Sequence, residues 1–211
     1  DTERIYSEVT QDIASPYGKQ YTWEIKQKVM GLPGAKAAEI IVSELELPIS
    51  PSVYLERREK MQLERFADCN KLPGVDRFIK HLHSHNVPIC IATSSGSPQF
   101  AVKTTRHGDM VELMHHVVKG DDPEVKNGKP NPDIFQVAAS RFVTPAQSPS
   151  NCLVFEDSKA GVQAALAANM HVVWIPDTRA DRKGTEESTL ITLSSMEQFQ
   201  PELYGLPPYD V

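Results

Sequence analysis

A chain of 211 residues, 40% hydrophobic and 24% charged, can bury a sizeable core and suits one domain that carries a sizeable insertion. Its formal charge of −6 and the absence of a Lys/Arg run argue against nucleic-acid binding. No apolar run approaches the ~20 residues that a membrane helix needs. Three cysteines, Cys69, Cys90 and Cys152, are odd in number and not spaced as metal pairs. Cys90 and Cys152 sit inside apolar runs and read as buried small hydrophobes, which suggests a reducing compartment. No secretory signal is read at the start, so a cytoplasmic location is expected, with room for a targeting peptide ahead of Asp1.

From about residue 4 to 66 the pattern is helical. Ile5, Val9 and Ile13 repeat at helical spacing, and the segment from Trp23 to Met30 continues it. The stretch from Met30 to Gly34 breaks the pattern. Ala37 to Leu45 and Tyr54 to Phe66 predict two further helices. Leu72-Pro73-Gly74-Val75 opens a second region. Val75 to His83 then reads as an amphipathic helix with Phe78, Ile79 and Leu82 on its apolar side. His81, His83 and His85 alternate as metal ligands might, but residues two apart on a helix point away from each other, so shared ligation is not expected. Short apolar runs follow at Pro88–Ala92, Val117–Val118, Cys152–Phe155, Val172–Ile175 and Leu190–Leu193, alternating with helical segments. That alternation predicts a parallel α/β sheet.

Three of these runs end in residues suited to phosphate chemistry. Cys152–Phe155 leads into Glu156-Asp157-Ser158, delivering two adjacent acids to a strand tip, where open α/β sheets bind ligands. Adjacent carboxylates repel, so a hard cation such as Mg²⁺ is the natural partner. A plain strand end with Asp157 or Ser158 capping the next helix fits the same residues. Pro88–Ala92 leads into Thr93-Ser94-Ser95-Gly96-Ser97, hydroxyls and N–H groups able to cup an anion, or an ordinary Ser-capped turn. Between them lies Gly128-Lys129-Pro130-Asn131-Pro132-Asp133. Lys129 is a constrained positive charge suited to phosphate there, or simply a solvated turn lysine, and Asp133 is expected to cap a helix through Phe135, Val137 and Ala138. Gly120-Asp121-Asp122 is acidic and either supports the metal or forms a capped turn. Lys36, after the break, reads by default as an exposed helix lysine and otherwise as a candidate for reaching the substrate. Trp23 and the pair His115-His116 read as packing.

In this order, hydroxyl, lysine, acid pair, the chain resembles the haloacid dehalogenase superfamily of aspartate-dependent phosphotransferases. Thr93 matches the second motif, Lys129 the third, and Glu156-Asp157 the fourth. Phe100, Lys103, Thr104, Arg106 and His107, the stretch from Gly120 to Val125, and the ending from Pro201 to Pro207 are similar to the subgroup of pseudouridine-5'-phosphatase and plant-type glycerol-phosphate phosphatases. The resemblance implies a Rossmann-like parallel-sheet core at 71–211 with an α-helical cap at 4–70. It also implies catalytic roles for Thr93 and Lys129, substrate contacts from Ser94, Ser95 and Lys36, and Mg²⁺ on Glu156 and Asp157. The expected substrate is a small phosphate ester, pseudouridine 5'-phosphate first and glycerol or sugar phosphate next. A monomer without nucleic-acid or membrane partners is expected.

One departure stands against the match. The family's first motif, Asp-x-Asp-Gly after a hydrophobic strand, supplies its nucleophile and its general acid/base, and this tetrapeptide occurs nowhere in the chain. Asp1-Thr2-Glu3 resembles the residues just after it, so Asp1 takes neither role. The central strand is therefore expected to be absent, and a parallel sheet without it has two unpaired apolar edges. A fragment of a phosphatase, inactive as given, is the preferred reading. A catalytically inactive binding or regulatory module that keeps the phosphate cup is the alternative.

Overall fold

The structure, a computed structural model, describes residues 2–30, 32 and 34–210. Asp1, Gly31 and Pro33 lie outside the described residues, and with them part of the expected break. The chain divides into two compact units, Asp1–Asn70 and Lys71–Val211.

The first unit is helical: α1 (Thr2–Ala14), α2 (Trp23–Val29), α3 (Gly34–Glu44) and α4 (Pro51–Phe66). Its core takes Ile5, Val9 and Ile13 from α1, Ala38 and Ile41 from α3, and Tyr54 and Phe66 from α4, all buried. The Tyr54 hydroxyl meets Thr10 Oγ1 at 2.9 Å, a buried polar pair that satisfies both groups. α4 starts three residues earlier than its apolar spacing predicts. Ser50 caps it by accepting from the Val53 N–H, and Pro51 fills the first turn, where no N–H is needed. Lys36 lies on α3, exposed and ion-paired with Glu39 at 3.5 Å.

The second unit is α/β. It contains α5 (Val75–Ser84), β1 (Cys90–Thr93), α6 (Ser97–Lys103), α7 (Gly108–Glu112), β2 (His116–Lys119), α8 (Asp133–Ser140), β3 (Leu153–Glu156), α9 (Lys159–Ala167), β4 (His171–Trp174) and β5 (Ile191–Thr192). Every strand pairing is parallel, as the alternation of strands and helices requires. Among the described residues the strands form two sheets, β1-β2 and β3-β4-β5, and no strand joins them. One core holds Val118, Val172 and Trp174 with Ile134 and Phe135 of α8 and Val162, Ala164 and Ala165 of α9, and Cys90, Ala92 and Val154 pack against it. On the opposite face Phe78 and Leu82 of α5 join Val173, Met196 and Phe199, backed by Phe155. Val172 and Trp174 face one layer and Val173 the other, the period of two expected of a strand covered on both faces. Phe78, Phe155 and Phe199 sit 4.8–5.1 Å apart, centroid to centroid, and back the strand that carries the acid pair.

Two expectations are corrected. Cys90 and Cys152 are only partly buried, because each lies on or beside a strand with one edge unpaired among the described residues, and Cys69 is the buried cysteine. Desolvation still pushes the Cys90 thiol up to about 11, with the nearby Cys152 adding to it. Asp133 does not cap α8 with its side chain. It is the first helical residue, and its carboxylate accepts the Lys126 and Asn127 N–H groups at 3.1 and 2.9 Å, fixing the loop that leads to Lys129. Those bonds, the Asn127 N–H first, hold its carboxyl below the usual range. Asn169 takes the left-handed turn after α9, with φ of 58°.

Candidate active site

The tips of β1 and β3 bring the chemistry together. Lys129 sits on the loop between β2 and α8, and its ammonium donates to Glu156 Oε1 and to the Ala92 carbonyl at 3.3 Å. It also lies 4.8 Å from the centre of the Phe135 ring. One lysine thus spans the C-terminal ends of β1 and β3. Its side chain is 12% exposed and that of Glu156 is 7% exposed, so the pair is largely desolvated.

Glu156 closes the strand with its side chain turned inward. Its second oxygen accepts the Ser158 hydroxyl at 3.2 Å. Ser158 also caps α9, taking the Gly161 N–H at 3.0 Å. Gly161 matters because a Cβ there would lie 2.0 Å from Glu156 Cδ and Oε2. Only a glycine lets the first turn of α9 run against that carboxylate. Asp157, the next residue, is exposed. Its carbonyl is held by the Trp174 indole N–H at 3.0 Å, and Trp174 is fully buried. The two neighbouring acids therefore stand in different surroundings, one buried and ion-paired, one facing outward.

At the β1 tip, Thr93 Oγ1 accepts the Ser95 N–H at 3.1 Å, which leaves its own O–H to donate. Ser94 is exposed, whereas Ser95 is buried and its hydroxyl accepts from Lys103 at 2.8 Å. Ser97 Oγ accepts from Lys119 at 2.8 Å and donates to Asp121 at 3.2 Å, and Asp121 also takes the Ser97 N–H at 2.7 Å. These bonds hold the Asp121 carboxyl below its ordinary range. Gly120 is pressed against the loop, where a Cβ would meet the Ser94 carbonyl at 2.3 Å. Asp122 turns away and forms a fork with Arg141 at 2.6 and 2.8 Å, which lowers its carboxyl to about 2.

Thr93, Lys129, Glu156 and the Asp157 backbone are thus gathered at neighbouring strand ends, and Lys36 belongs to the other unit. Sequence reasoning gave no role to Lys119 or Trp174. A lysine closing a short strand and a tryptophan inside another carry no motif that would have singled them out.

The sequence profile of the haloacid dehalogenase-like hydrolases matches residues 1–175. The chain belongs to that family. It is 45% identical over 210 residues to the Drosophila melanogaster protein named "Probable pseudouridine-5'-phosphatase", covering 99% of this chain and 90% of that one. It is 44% identical over 212 residues to (DL)-glycerol-3-phosphatase 2 of Arabidopsis thaliana, covering 100% and 88%. The crystal structure of a conserved haloacid dehalogenase-like protein from Agrobacterium tumefaciens superposes with a TM-score of 0.79 at 25% identity, covering 97% of this chain and 92% of that one. The fold is the α/β fold of the family, and the enzyme class is a phosphatase-type hydrolase acting on small phosphorylated metabolites.

Proposed function

We propose that the protein is a Mg²⁺-dependent phosphomonoesterase working through an aspartyl-phosphate, with pseudouridine 5'-phosphate as the favoured substrate and glycerol or sugar phosphates next. The observation that carries this reading is Lys129, which links the Ala92 carbonyl beside Thr93 to Glu156 beside Asp157. Phosphoryl transfer asks the protein mainly for positioning and charge, and the β1 and β3 tips supply both. Thr93 would donate its O–H to a phosphoryl oxygen. Lys129 would balance phosphoryl charge while Glu156 keeps it in place. Asp157, an exposed hard donor beside an acid that already has its counter-charge, fits a Mg²⁺ ligand. Glu156, with both oxygens occupied, fits contact through water. The ion would neutralise charge on the phosphoryl oxygens.

The nucleophile in this reading is an aspartate on a strand seated between the β1-β2 and β3-β4-β5 sheets, carried by Asp-x-Asp-Gly ahead of Asp1. Its carboxylate attacks phosphorus, the ester oxygen leaves with a proton as the alcohol, and water then releases phosphate. The preference for pseudouridine 5'-phosphate rests on the likeness of Ser94-Ser95-Gly96-Ser97 to that subgroup and is close, since the two relatives are 45% and 44% identical. The free thiols favour a reducing compartment such as the cytoplasm.

The test has two stages. The 211 residues alone should not hydrolyse a chromogenic aryl phosphate with Mg²⁺ present, and turnover abolished by chelator would overturn the placement of the nucleophile. The chain preceded by a hydrophobic strand ending in Asp-x-Asp-Gly should hydrolyse small esters in a panel of nucleotide, sugar and polyol phosphates. A preference for a phosphopeptide over all of them would sink the substrate reading. The absence of Asp-x-Asp-Gly also suits an inactive binding module, and that second reading is supported if the upstream coding sequence lacks the motif.

A further inference from the structure

We propose a second metal site, for a divalent transition metal of the zinc class, on α5 and the segment 207–210. His81 and His85 lie one helical turn apart, and their rings stand 4.4 Å apart, centroid to centroid. One ligand atom from each of His81, His85 and Asp210 lies within 4.8 Å of the other two. The His85 Nε2 to Asp210 Oδ1 distance is 3.9 Å. His83 takes no part.

Hydrogen bonds to the backbone prepare both rings. His81 Nε2 meets the Pro207 carbonyl at 2.9 Å, and His85 Nδ1 meets the His81 carbonyl at 2.9 Å. A carbonyl only accepts, so each of those nitrogens carries the proton. His81 Nδ1 and His85 Nε2 are then left with lone pairs. Metal-ligating histidines ordinarily donate their other N–H in this way, which sets tautomer and ring angle. The closing segment is held against α5 independently of any ion: the Tyr209 ring lies 4.8 Å from His81 and 3.8 Å from the Arg77 guanidinium. Asp210 is thereby delivered to the histidines.

Two imidazoles and a carboxylate suit Zn²⁺, Co²⁺ or Ni²⁺ with one position left for water. Tetrahedral zinc places its ligand atoms ~3.3 Å apart, so the His85–Asp210 separation of 3.9 Å closes by ~0.6 Å and no separation in the triad closes by more than ~1.5 Å. Mg²⁺ prefers oxygen and would not compete. This site lies on a different element from the phosphatase residues and does not depend on their assignment. Bound metal would tie the segment after Leu206 to the helix whose Phe78 backs Phe155.

The experiment is calorimetric titration of the full chain with Zn²⁺ at neutral pH in excess Mg²⁺, paired with thermal melts and with Co²⁺ absorption. We expect one equivalent bound at micromolar Kd, a melting point raised by roughly 5–10 °C at a hundredfold excess over Kd, and visible Co²⁺ bands of a tetrahedral nitrogen–oxygen site. His81 is buried and its loss could disturb α5, so the variants are His85→Gln and Asp210→Asn, both exposed. Each should weaken Zn²⁺ at least tenfold, while Asp157→Asn should leave its affinity unchanged. Affinity weaker than about 100 µM overturns the site. So does tight binding that survives both variants, or that disappears with Asp157→Asn.

Discussion

Replacing Lys129 by Met tests the ion pair that joins the strand tips. The substitution keeps the stem against Phe135 and removes the charge, leaving Glu156 buried with one hydroxyl partner, Ser158. Removing one member of a buried pair costs about 3–5 kcal/mol. The Ser158 bond persists, so we place the loss near the lower end, at about 3 kcal/mol, or roughly 150-fold in the folding equilibrium. In a chain of this size that is a fall of roughly 6–12 °C in melting temperature. Urea unfolding can follow it within the α/β unit alone. The chain has two tryptophans, one in each unit, and Trp23→Phe leaves the fully buried Trp174 as sole reporter. Adding Glu156→Gln to Lys129→Met removes the orphaned charge, so the double variant should be more stable than Lys129→Met alone, with coupling above about 1 kcal/mol. A loss under about 0.5 kcal/mol in Lys129→Met, or a double variant no better than the single, would refute the pairing as a buried one.

Other sites give separable outcomes. Asp157→Asn should leave the urea midpoint unchanged, because the side chain is exposed, but should lower kcat at least a hundredfold and abolish Mg²⁺ dependence in protein carrying the nucleophile strand; wild-type Mg²⁺ titration would remove the assignment. Gly161→Ala gains helix propensity of about 1 kcal/mol but drives Cβ to 2.0 Å from Glu156, so net destabilisation of roughly 1–3 kcal/mol is expected in the same unfolding assay, and a stabilised variant would contradict the close approach. Asp122 is held at about 2 by Arg141, below its unfolded value, so the folded state binds fewer protons there. Its contribution is therefore present above pH ~4 and lost as pH falls toward 2. Asp122→Asn should flatten the stability profile across that window, and an unchanged slope would count against the Arg141 fork.

Much of the architecture was legible because it follows from periodicity. Ile5, Val9 and Ile13 line the core face of α1, and the apolar runs became strands to within one or two residues. What escaped was set by contacts that periodicity does not encode. Ser50 and Pro51 start α4, whereas its apolar spacing begins only at Tyr54. Asp133 has the composition of a cap, yet loop N–H groups seven and six residues upstream take its carboxylate. Gly120 and Gly161 look alike in sequence to glycines with open space around them, such as Gly108 and Gly128. Only the close approach of Ser94 and Glu156 distinguishes them.

The acid pair shows how folding changes a local argument. Repulsion between Glu156 and Asp157 would call for a cation holding both. In the folded unit adjacent strand-end residues face different directions, as the period of two dictates. Glu156 turns inward, where Lys129, twenty-seven positions upstream, already supplies the counter-charge. Asp157 turns outward with its backbone fixed by Trp174. The repulsion is therefore relieved without a metal, and the case for direct Mg²⁺ ligation rests on Asp157, together with the phosphate charge that a bound substrate would bring. This is why Asp157→Asn and Lys129→Met should separate: the first should change metal dependence with little effect on stability, and the second should change stability even when no metal or substrate is present.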